Sequence, residues 1–599
     1  MGVQKTVHRH GRTLEHGTFD ARETVHVCMN GCRWPSGNQV IQRFSGLAER
    51  LLPHSTVGYD VMVFIGMERF VRFRQREEIQ TMLKERFAVA LSTGEISRLG
   101  HLFLEYLERL HEANTDALCS ALEADGGWPL HIDATGEGGR GTLLVAFSGW
   151  RKWVLGAWKI PTENATAIQP HLQAVVERFG APCAIMRDLG IAMAKAAAGL
   201  VEKLQLKISI LACHSHFLKD VGADLLEPTH AQLRGMFRQF SVRPKLRALA
   251  RDLGRSIGAD MEQARIDLAA WQLAEEQGHI VPEGRAGSVT VRALAQWVLD
   301  YMADGSGHGF PFDRPYLNLY KRCAQASRAI DAFLRNPPHD SAVLKGLKHL
   351  HEVLKPVVGD VVMAQAVRTQ VYRAALFDEL RTALRLQPKG APGDVQASTD
   401  KDIAALRDVR EAIDKLIESL HQRRPECSPA KEQQQAIDIV LRHLDVHGDN
   451  LWGHEAKITQ AQGEGIRLVD RTNNSLEGFF HSMKHGERRR SGRKNLTRDF
   501  EDLPAAAALA QNLNHPDYVA KLCGTLDDLP SAFAKLDANQ HQLSQQTARQ
   551  PEAIARKAHA VSESASLPHD DRRLIRTDAM KRKVHDAASS RAPNISRNR

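Results

Sequence analysis

The stretch WPLHIDATGEGGRGTLLVAFSGWRKWVLGAWKI, residues 128–160, decides how this chain is read. It contains three short β-rich runs, WPLHIDAT, GTLLVAFS and KWVLGAWKI, separated by turn residues at 136–141 and 148–150. Branched and aromatic side chains suit a pleated, half-buried surface, and the glycine-rich breaks let the chain reverse. Toward the C-terminus, ENATAIQPHLQAVVERFG (163–180) reads as a helix with Pro170 as a kink or break. APCAIMRD (181–188) then reads as a strand, LGIAMAKAAAGLVEKLQ (189–205) as a helix and KISILAC (207–213) as a strand. The order β-β-β-α-β-α-β implies a mixed sheet covered by helices, an α/β core.

Upstream, the first hundred or so residues open with a basic, histidine-rich stretch and the pair Cys28 and Cys32. The segment 77–87 has a helical pattern. Ser92 and Glu95 stand in a capping-box relation before Ile96, Leu99, Phe103, Tyr106, Leu107 and Leu110, which repeat at helical period. Two helices therefore meet near residues 88–92, either as a DNA-reading helix-turn-helix over 77–110 or as any helical hairpin. Downstream of 225, strand-like runs nearly vanish. VRALAQWVLDYM (291–302), SAVLKGLKHLHEVL (341–354), 360–386, 401–422 and 432–447 are amphipathic, and QPKGAPGD (387–394) and RRPECSPA (423–430) break them.

Composition sets the outer limits. The 599 residues carry 43% apolar and 25% charged side chains and a net charge of +9, which excludes disordered, collagen-like and rod-like chains. No run of apolar residues is long enough to cross a membrane. The start MGVQKTVHRHGRTLEHG has no apolar leader segment, and eight scattered cysteines make no disulfide framework, so a cytoplasmic location is expected. The positive charge points weakly to a polyanionic partner.

Two carboxylates stand at strand ends. Asp133 closes the first predicted strand and Asp188, 55 residues on, closes the fourth. If those strands are neighbours, both side chains reach one spot, where open α/β sheets place their ligands. Two carboxylates that close repel each other unless a cation lies between them, and oxygen-only ligation favours Mg²⁺ or Mn²⁺. The residues alone leave plainer readings open. Asp133 can simply start a turn, Asp188 can cap a helix, and Glu477 can complete a capping box with Asn474. Cys213 can be a small buried hydrophobe and His216 a solvated helix residue.

Strand-Asp, two strands, helix, strand-Asp resembles the RNase H-like core of DDE/D transposases and retroviral-type integrases. TNNSLEGFFHSMKHGERRRSGR (472–493) is similar to the third acidic motif of bacterial insertion-sequence transposases, with Glu477 as the matching carboxylate. Cys213-His214-Ser215-His216 resembles the Cys-x-x-His signature of Mutator-like and related transposases. The 289 residues between Asp188 and Glu477 match the large helical insertion of that branch. The resemblance implies a domain plan of an N-terminal DNA-binding region (1–115), a first core segment (116–225), an all-α insertion (226–465), a final core segment with the third acid (466–515) and a helical or disordered basic tail (516–599), weakly ordered beyond about 540. It implies two Mg²⁺ or Mn²⁺ ions held by Asp133, Asp188 and Glu477, with Cys213 and His216 bracing the site. It further implies cleavage at element ends, 3′-OH strand transfer, terminal-repeat and target DNA as partners, and a homodimer or larger assembly in a bacterial, nucleoid-associated setting.

Arg471, Arg488, Arg489, Arg490, Arg493 and Lys494 flank the third acid and are expected to grip DNA phosphates, a solvated basic face being the plainer reading. Cys28 and Cys32, with His8, His10 or His16 upstream, leave a small zinc site open, although no second cysteine pair follows. Two other functions stay in view: a catalytically silent, transposase-derived DNA-binding protein, and an RNase H-like nuclease without strand transfer.

Overall fold

The computed structural model describes residues 1–34, 37–42, 45–137, 140–258, 261–273, 281–386, 400–426, 430–460 and 463–540. The chain forms two units, a small one (Met1–Thr6, Thr24–Arg43, Asp537–Arg599) and a large one (Val7–Glu23, Phe44–Leu536). Strands β1 (Gly2–Thr13), β2 (Gly17–Val27) and β3 (Ile41–Gln42) open the chain. The N-terminal region is therefore not the purely helical module expected. β1 has few apolar residues, and the alternation of Phe19, Ala21, Val25 and Val27 in β2 is broken by Glu23, so a pattern reading passed over both. In the small unit, β2 pairs with β3 through His26 and Val27 opposite Gln42 and Ile41.

In the large unit, α1 (Ser45–Ala48), α2 (Tyr59–Gly66), α3 (Arg76–Phe87), α4 (Thr93–Ala113) and α5 (Thr115–Ala124) precede the sheet. The Ser92 hydroxyl accepts the Glu95 N–H at 3.1 Å and so starts α4. The periodic side chains Ile96, Leu99, Phe103, Tyr106, Leu107 and Leu110 are all buried. The outward stripe of α4 carries Glu105, Glu108 and Glu112 beside Arg98 and His101. A helix whose apolar face lies in the main core and whose exposed face is largely acidic is a poor reader of a DNA groove. Helices α3 and α4 do meet across residues 88–92, and this acidic face counts against their reading DNA.

The sheet is built from β4 (Pro129–Glu137), β5 (Arg140–Ser148), β6 (Trp153–Lys159), β7 (Ala184–Arg187) and β8 (Ser209–Ala212), with α6 (Ala165–Phe179) and α7 (Ile191–Lys203) as the crossovers. The strand order is β6-β5-β4-β7-β8, with β4–β5 and β5–β6 antiparallel and β4–β7 and β7–β8 parallel. This is the mixed five-stranded sheet read from residues 128–213, with the first and fourth strands adjacent. Pro170 lies inside α6 without breaking it. At the sixth helical position proline forfeits one intrahelical bond, to the Thr166 carbonyl, and the helix continues through it.

The helical block begins at α8 (His214–Gln239), earlier than the expected 226, and continues through α9 (Val242–Gly258), α10 (Met261–Leu273), α11 (Gly284–Leu299), α12 (Pro315–Phe333), α13 (Ser341–Gly359), α14 (Val361–Ala383), α15 (Asp400–Arg423) and α16 (Lys431–His447). Helix α8 joins two cores. Phe217, Val221 and Leu225 pack with residues of α14, α15 and α16, while Leu233 and Phe237 pack with α9, α11, α12 and α13. The block is not all-α to its end, since β9 (Glu455–Gln460) and β10 (Gly463–Leu468) form an antiparallel hairpin across the expected boundary at 465.

After the hairpin come α17 (Asn474–Ser491), α18 (Thr497–Asp502), α19 (Ala507–Ala510) and α20 (Pro516–Leu522). One hydrophobic core holds residues from α2 to α7, the sheet, α17 and the segment 503–534. The boundaries at 115 and 515 therefore cut through a shared core. Tyr518 and Phe533, assigned by sequence to a separate helical or disordered basic tail, are fully buried. The basic end of that tail lies outside the described residues.

Candidate active site

The register of the sheet brings the acids together. Ile132 of β4 pairs with Arg187 of β7, and Arg187 pairs with Ala212 of β8. Asp133, Asp188 and Cys213 are each one residue further along neighbouring parallel strands. Adjacent strands lie about 4.8 Å apart, and side chains in phase share a face. The Cys213 N–H donates to the Arg187 carbonyl at 2.8 Å, which carries the ladder one rung past the end of β8.

Glu477 arrives from 289 residues beyond Asp188, in the first turn of α17. Asn473, wholly buried, places that turn. Its Nδ2 donates to the Ile132 carbonyl at 3.2 Å, its Oδ1 accepts from His131 Nδ1 at 3.0 Å, and its backbone N–H donates to Cys213 Sγ at 3.2 Å. One asparagine thus fastens the start of α17 to β4 beside Asp133, which lies in the middle of that strand and not at its end as the sequence suggested, and to Cys213 at the end of β8. The capping-box reading of Glu477 does not hold, because the N-cap is Asn473 and makes no side-chain cap bond. The Glu477 carboxylate lies 3.4 Å from His216 Nδ1 and 3.4 Å from Lys219 Nζ instead. Asp188 is not an N-cap either. Its Oδ1 accepts the Gly190 N–H at 3.1 Å, and Gly190 is the cap of α7.

The electrostatics register this convergence. The Asp133 carboxyl is pushed up to about 8, first by burial and then by the charge of Asp188, with smaller contributions from Glu477 and Glu163. The Ala134 N–H, donating to Asp133 Oδ1 at 2.8 Å, opposes the rise without cancelling it. Glu163, just before α6, is raised by partial desolvation and by Asp188. It is a fourth carboxylate that the sequence reading missed, because nothing in its spacing sets it apart from a surface glutamate. A buried acid that holds its proton near neutrality, with anions adding to the effect of desolvation, marks a site short of positive charge. Glu477 Oε1 and His216 Nδ1, both shielded from solvent, have no hydrogen-bond partner among the described residues. Cys213, His216 and Glu477 offer ligand atoms within 4.8 Å of one another. Asp133 and Asp188 do not join Glu477 in a group that close among the described residues, and what links the three carboxylates is their mutual charge. The Cys213 thiol fits a hard divalent cation poorly, since burial pushes it up to about 11 and its Sγ already accepts a backbone N–H. Cys213 packs as a buried brace.

Two of the expected DNA contacts are corrected by burial. Arg471 turns inward, where its Nη2 donates to His214 Nδ1 at 3.1 Å and to the Leu384 carbonyl. His214 Nε2 in turn donates to the Leu451 carbonyl at 3.0 Å, which fixes the neutral tautomer. Arg490 is committed to Glu487 at 2.6 Å and Asp499 at 2.7 Å, and Arg69 completes the cluster on Glu487 at 2.9 Å. A nearly fully buried carboxylate such as Glu487 requires such partners. Arg493 keeps most of its side chain exposed while reaching Asp499, and Arg488 lies 3.4 Å from Glu137. Arg489 and Lys494 are exposed and bear no carboxylate partner among the described residues.

Cys28 and Cys32 face each other across a turn, where a hydrogen bond from Cys32 lowers the Cys28 thiol. Neither belongs to a group of three ligating side chains among the described residues, so the structure gives the zinc reading no support. No helix among the described residues is long and apolar enough to cross a membrane. The chain matches no protein-family model and no curated protein.

Proposed function

We propose that this chain is a DDE-type transposase, cutting DNA at element ends and joining the freed 3′-OH to target DNA. The observation that carries the proposal is that Asp133 and Asp188 lie along neighbouring parallel strands while Asn473 ties the first turn of the Glu477 helix to Ile132 and Cys213, with Asp188 and Glu477 both adding to the raised Asp133 carboxyl. Support comes also from the chain order of strand-Asp, two strands, helix and strand-Asp, which agrees with an RNase H-like core, and from the helical block lying between the second and third acids.

Both reactions are in-line displacements at phosphorus. A water or 3′-hydroxyl oxygen forms the new P–O bond as the old one breaks; the attacking oxygen gives up a proton and the leaving oxygen gains one. Asp133, Asp188 and Glu477 would hold the divalent ions, and Glu163 adds negative charge beside Asp188. Bound there, such ions lower the nucleophile's pKa and stabilise the leaving oxygen. The protein's own groups shape the place of reaction. Asn473 and Cys213 fix the angle of the Glu477 helix, and Lys219 offsets part of the carboxylate charge at 3.4 Å. Arg489, Lys494 and Arg493, one helix length from Glu477, offer positive charge to a DNA backbone without reading its sequence.

The test is an assay with a labelled 3′-OH donor end and a target duplex. Joined product is expected with Mg²⁺ or Mn²⁺, and Asp133→Asn, Asp188→Asn and Glu477→Gln each lower it by on the order of 10³-fold while DNA binding persists. Cut but unjoined product would instead mark a nuclease. A neutralised variant that cuts at the wild-type rate would remove that residue from the site.

A further inference from the structure

A second cluster of ligating side chains lies between α8 and α16, apart from the acidic pocket. His443 and His447 are four residues apart on α16 and so share one face of the helix. Asp220 of α8 faces them, and the three side chains offer ligand atoms within 4.8 Å of one another. His443 Nδ1 lies 3.5 Å from Asp220 Oδ2. That is long for a hydrogen bond, yet close to the roughly 3.3 Å edge of a tetrahedron whose ligands stand about 2.0–2.1 Å from a central zinc.

The other nitrogen of His443 is already engaged. Nε2 lies 3.0 Å from Asp224 Oδ2, and Arg442 holds the same carboxylate oxygen at 2.7 Å. A carboxylate that accepts the Nε2 proton fixes the tautomer in which Nδ1 keeps its lone pair and aims it at Asp220 and His447. Metal-ligating histidines almost always have such a carboxylate or carbonyl behind them. Phe217 presents its ring to both imidazoles, with centroids 6.5 and 6.2 Å away, and walls one side with apolar surface. Two imidazoles and one carboxylate suit a borderline transition-metal ion far better than Mg²⁺.

We infer that Asp220, His443 and His447 form a structural site for a zinc-class divalent cation, oriented by Asp224, that pins the last long helix of the insertion to the helix carrying His216. The site does not depend on the chain being a transposase.

The experiment uses the full chain without a histidine tag, stripped with chelator and titrated with Co²⁺, followed by visible absorption and by competition with Zn²⁺. Wild type is expected to take up one tightly bound Co²⁺ with the intense bands of low coordination number and no thiolate charge-transfer band, displaced by one equivalent of Zn²⁺. The double variant Asp133→Asn/Glu477→Gln should keep that band. His447→Ala, at a half-buried position, should weaken uptake by about 100-fold or more, and Asp224→Asn by about 10–100-fold. Circular dichroism confirms that each variant is folded, and His447→Ala decides the matter where His443→Gln does not fold. Weak, six-coordinate cobalt binding by wild type would overturn the inference, leaving a plain ion pair between the helices. So would a band unchanged in His447→Ala, or one lost with the acidic-pocket variant or carrying thiolate character. Loss of strand joining in the acidic-pocket variant with cobalt uptake intact separates the two proposals.

Discussion

Asp133 shows how one side chain reports on a whole site. Its folded-state pKa lies near 8, against about 3.9 for an unfolded aspartate, so between those values the folded protein holds a proton that the unfolded chain has lost. Stability then falls as pH rises through that window. Without divalent ions, Asp133→Asn should melt at the wild-type temperature near pH 4 and roughly 1–3 °C higher at pH 8, as read by calorimetry. Mg²⁺ should raise the wild-type melting temperature at pH 8 more than that of the variant. Equal slopes with pH in both proteins would mean that neither burial nor neighbouring anions raise the Asp133 carboxyl. The basic residues divide in a similar way. Arg489→Ala and Lys494→Ala should each lower the slope of log K against log salt for DNA by about 1 with unchanged stability. Arg490→Ala should leave that slope alone and cost on the order of 2–3 kcal/mol of stability, because it removes one partner of the buried Glu487.

Among the elements, α17 matters most, since it brings the third acid, and its placement rests on Asn473. Asn473→Ala removes the partner of the buried His131 and the bond to the Ile132 carbonyl, which should cost about 1–3 kcal/mol in urea unfolding. It should also lower strand joining without abolishing DNA binding; full activity with full stability would show that α17 is positioned by other contacts. The elements also show what pattern could reveal. The buried stripe of α4 and the three β-rich runs were legible because each has one solvated face or a glycine-marked turn. Strands β1 and β2 were not, because β1 is mostly polar and the inward face of β2 includes the buried, charged Glu23. The fate of Arg471 was also hidden, since a guanidinium beside a motif looks the same in sequence whether it points to solvent or to a buried imidazole. Asp133 and Asp188 were legible because a carboxylate in or just after an apolar β-rich run is locally out of place, and Glu477 through the motif around it, whereas Glu163 had neither signal.

For the molecule as a whole, the largest difference from the sequence reading concerns boundaries. Composition changes near 115, 225, 465 and 515, yet the main core runs across the first and the last of these. His111 of α4 shows the link. Its Nδ1 accepts from the Tyr518 hydroxyl at 2.7 Å and its Nε2 donates to the Leu155 carbonyl at 3.2 Å. Burial holds this imidazole down to about 4, so it stays neutral as a joint between helix, sheet and C-terminal segment. A chain ended at residue 515 loses Tyr518, Val519, Leu522, Leu529 and Phe533 from the core. At about 1.5–3 kcal/mol for each large apolar side chain, that exceeds the usual margin of a folded domain, so the truncated chain should be insoluble or molten by circular dichroism and dye binding. A sharp native melt would show that the core does not need this segment. The distance in sequence between the second and third acids has a consequence for synthesis. At roughly 5–20 residues per second, a ribosome that has made Asp188 reaches Glu477 about 15–60 s later. On the proposed reading, the nascent polypeptide holds an incomplete set of acids throughout that interval, and the site can be assembled only once α17 has emerged.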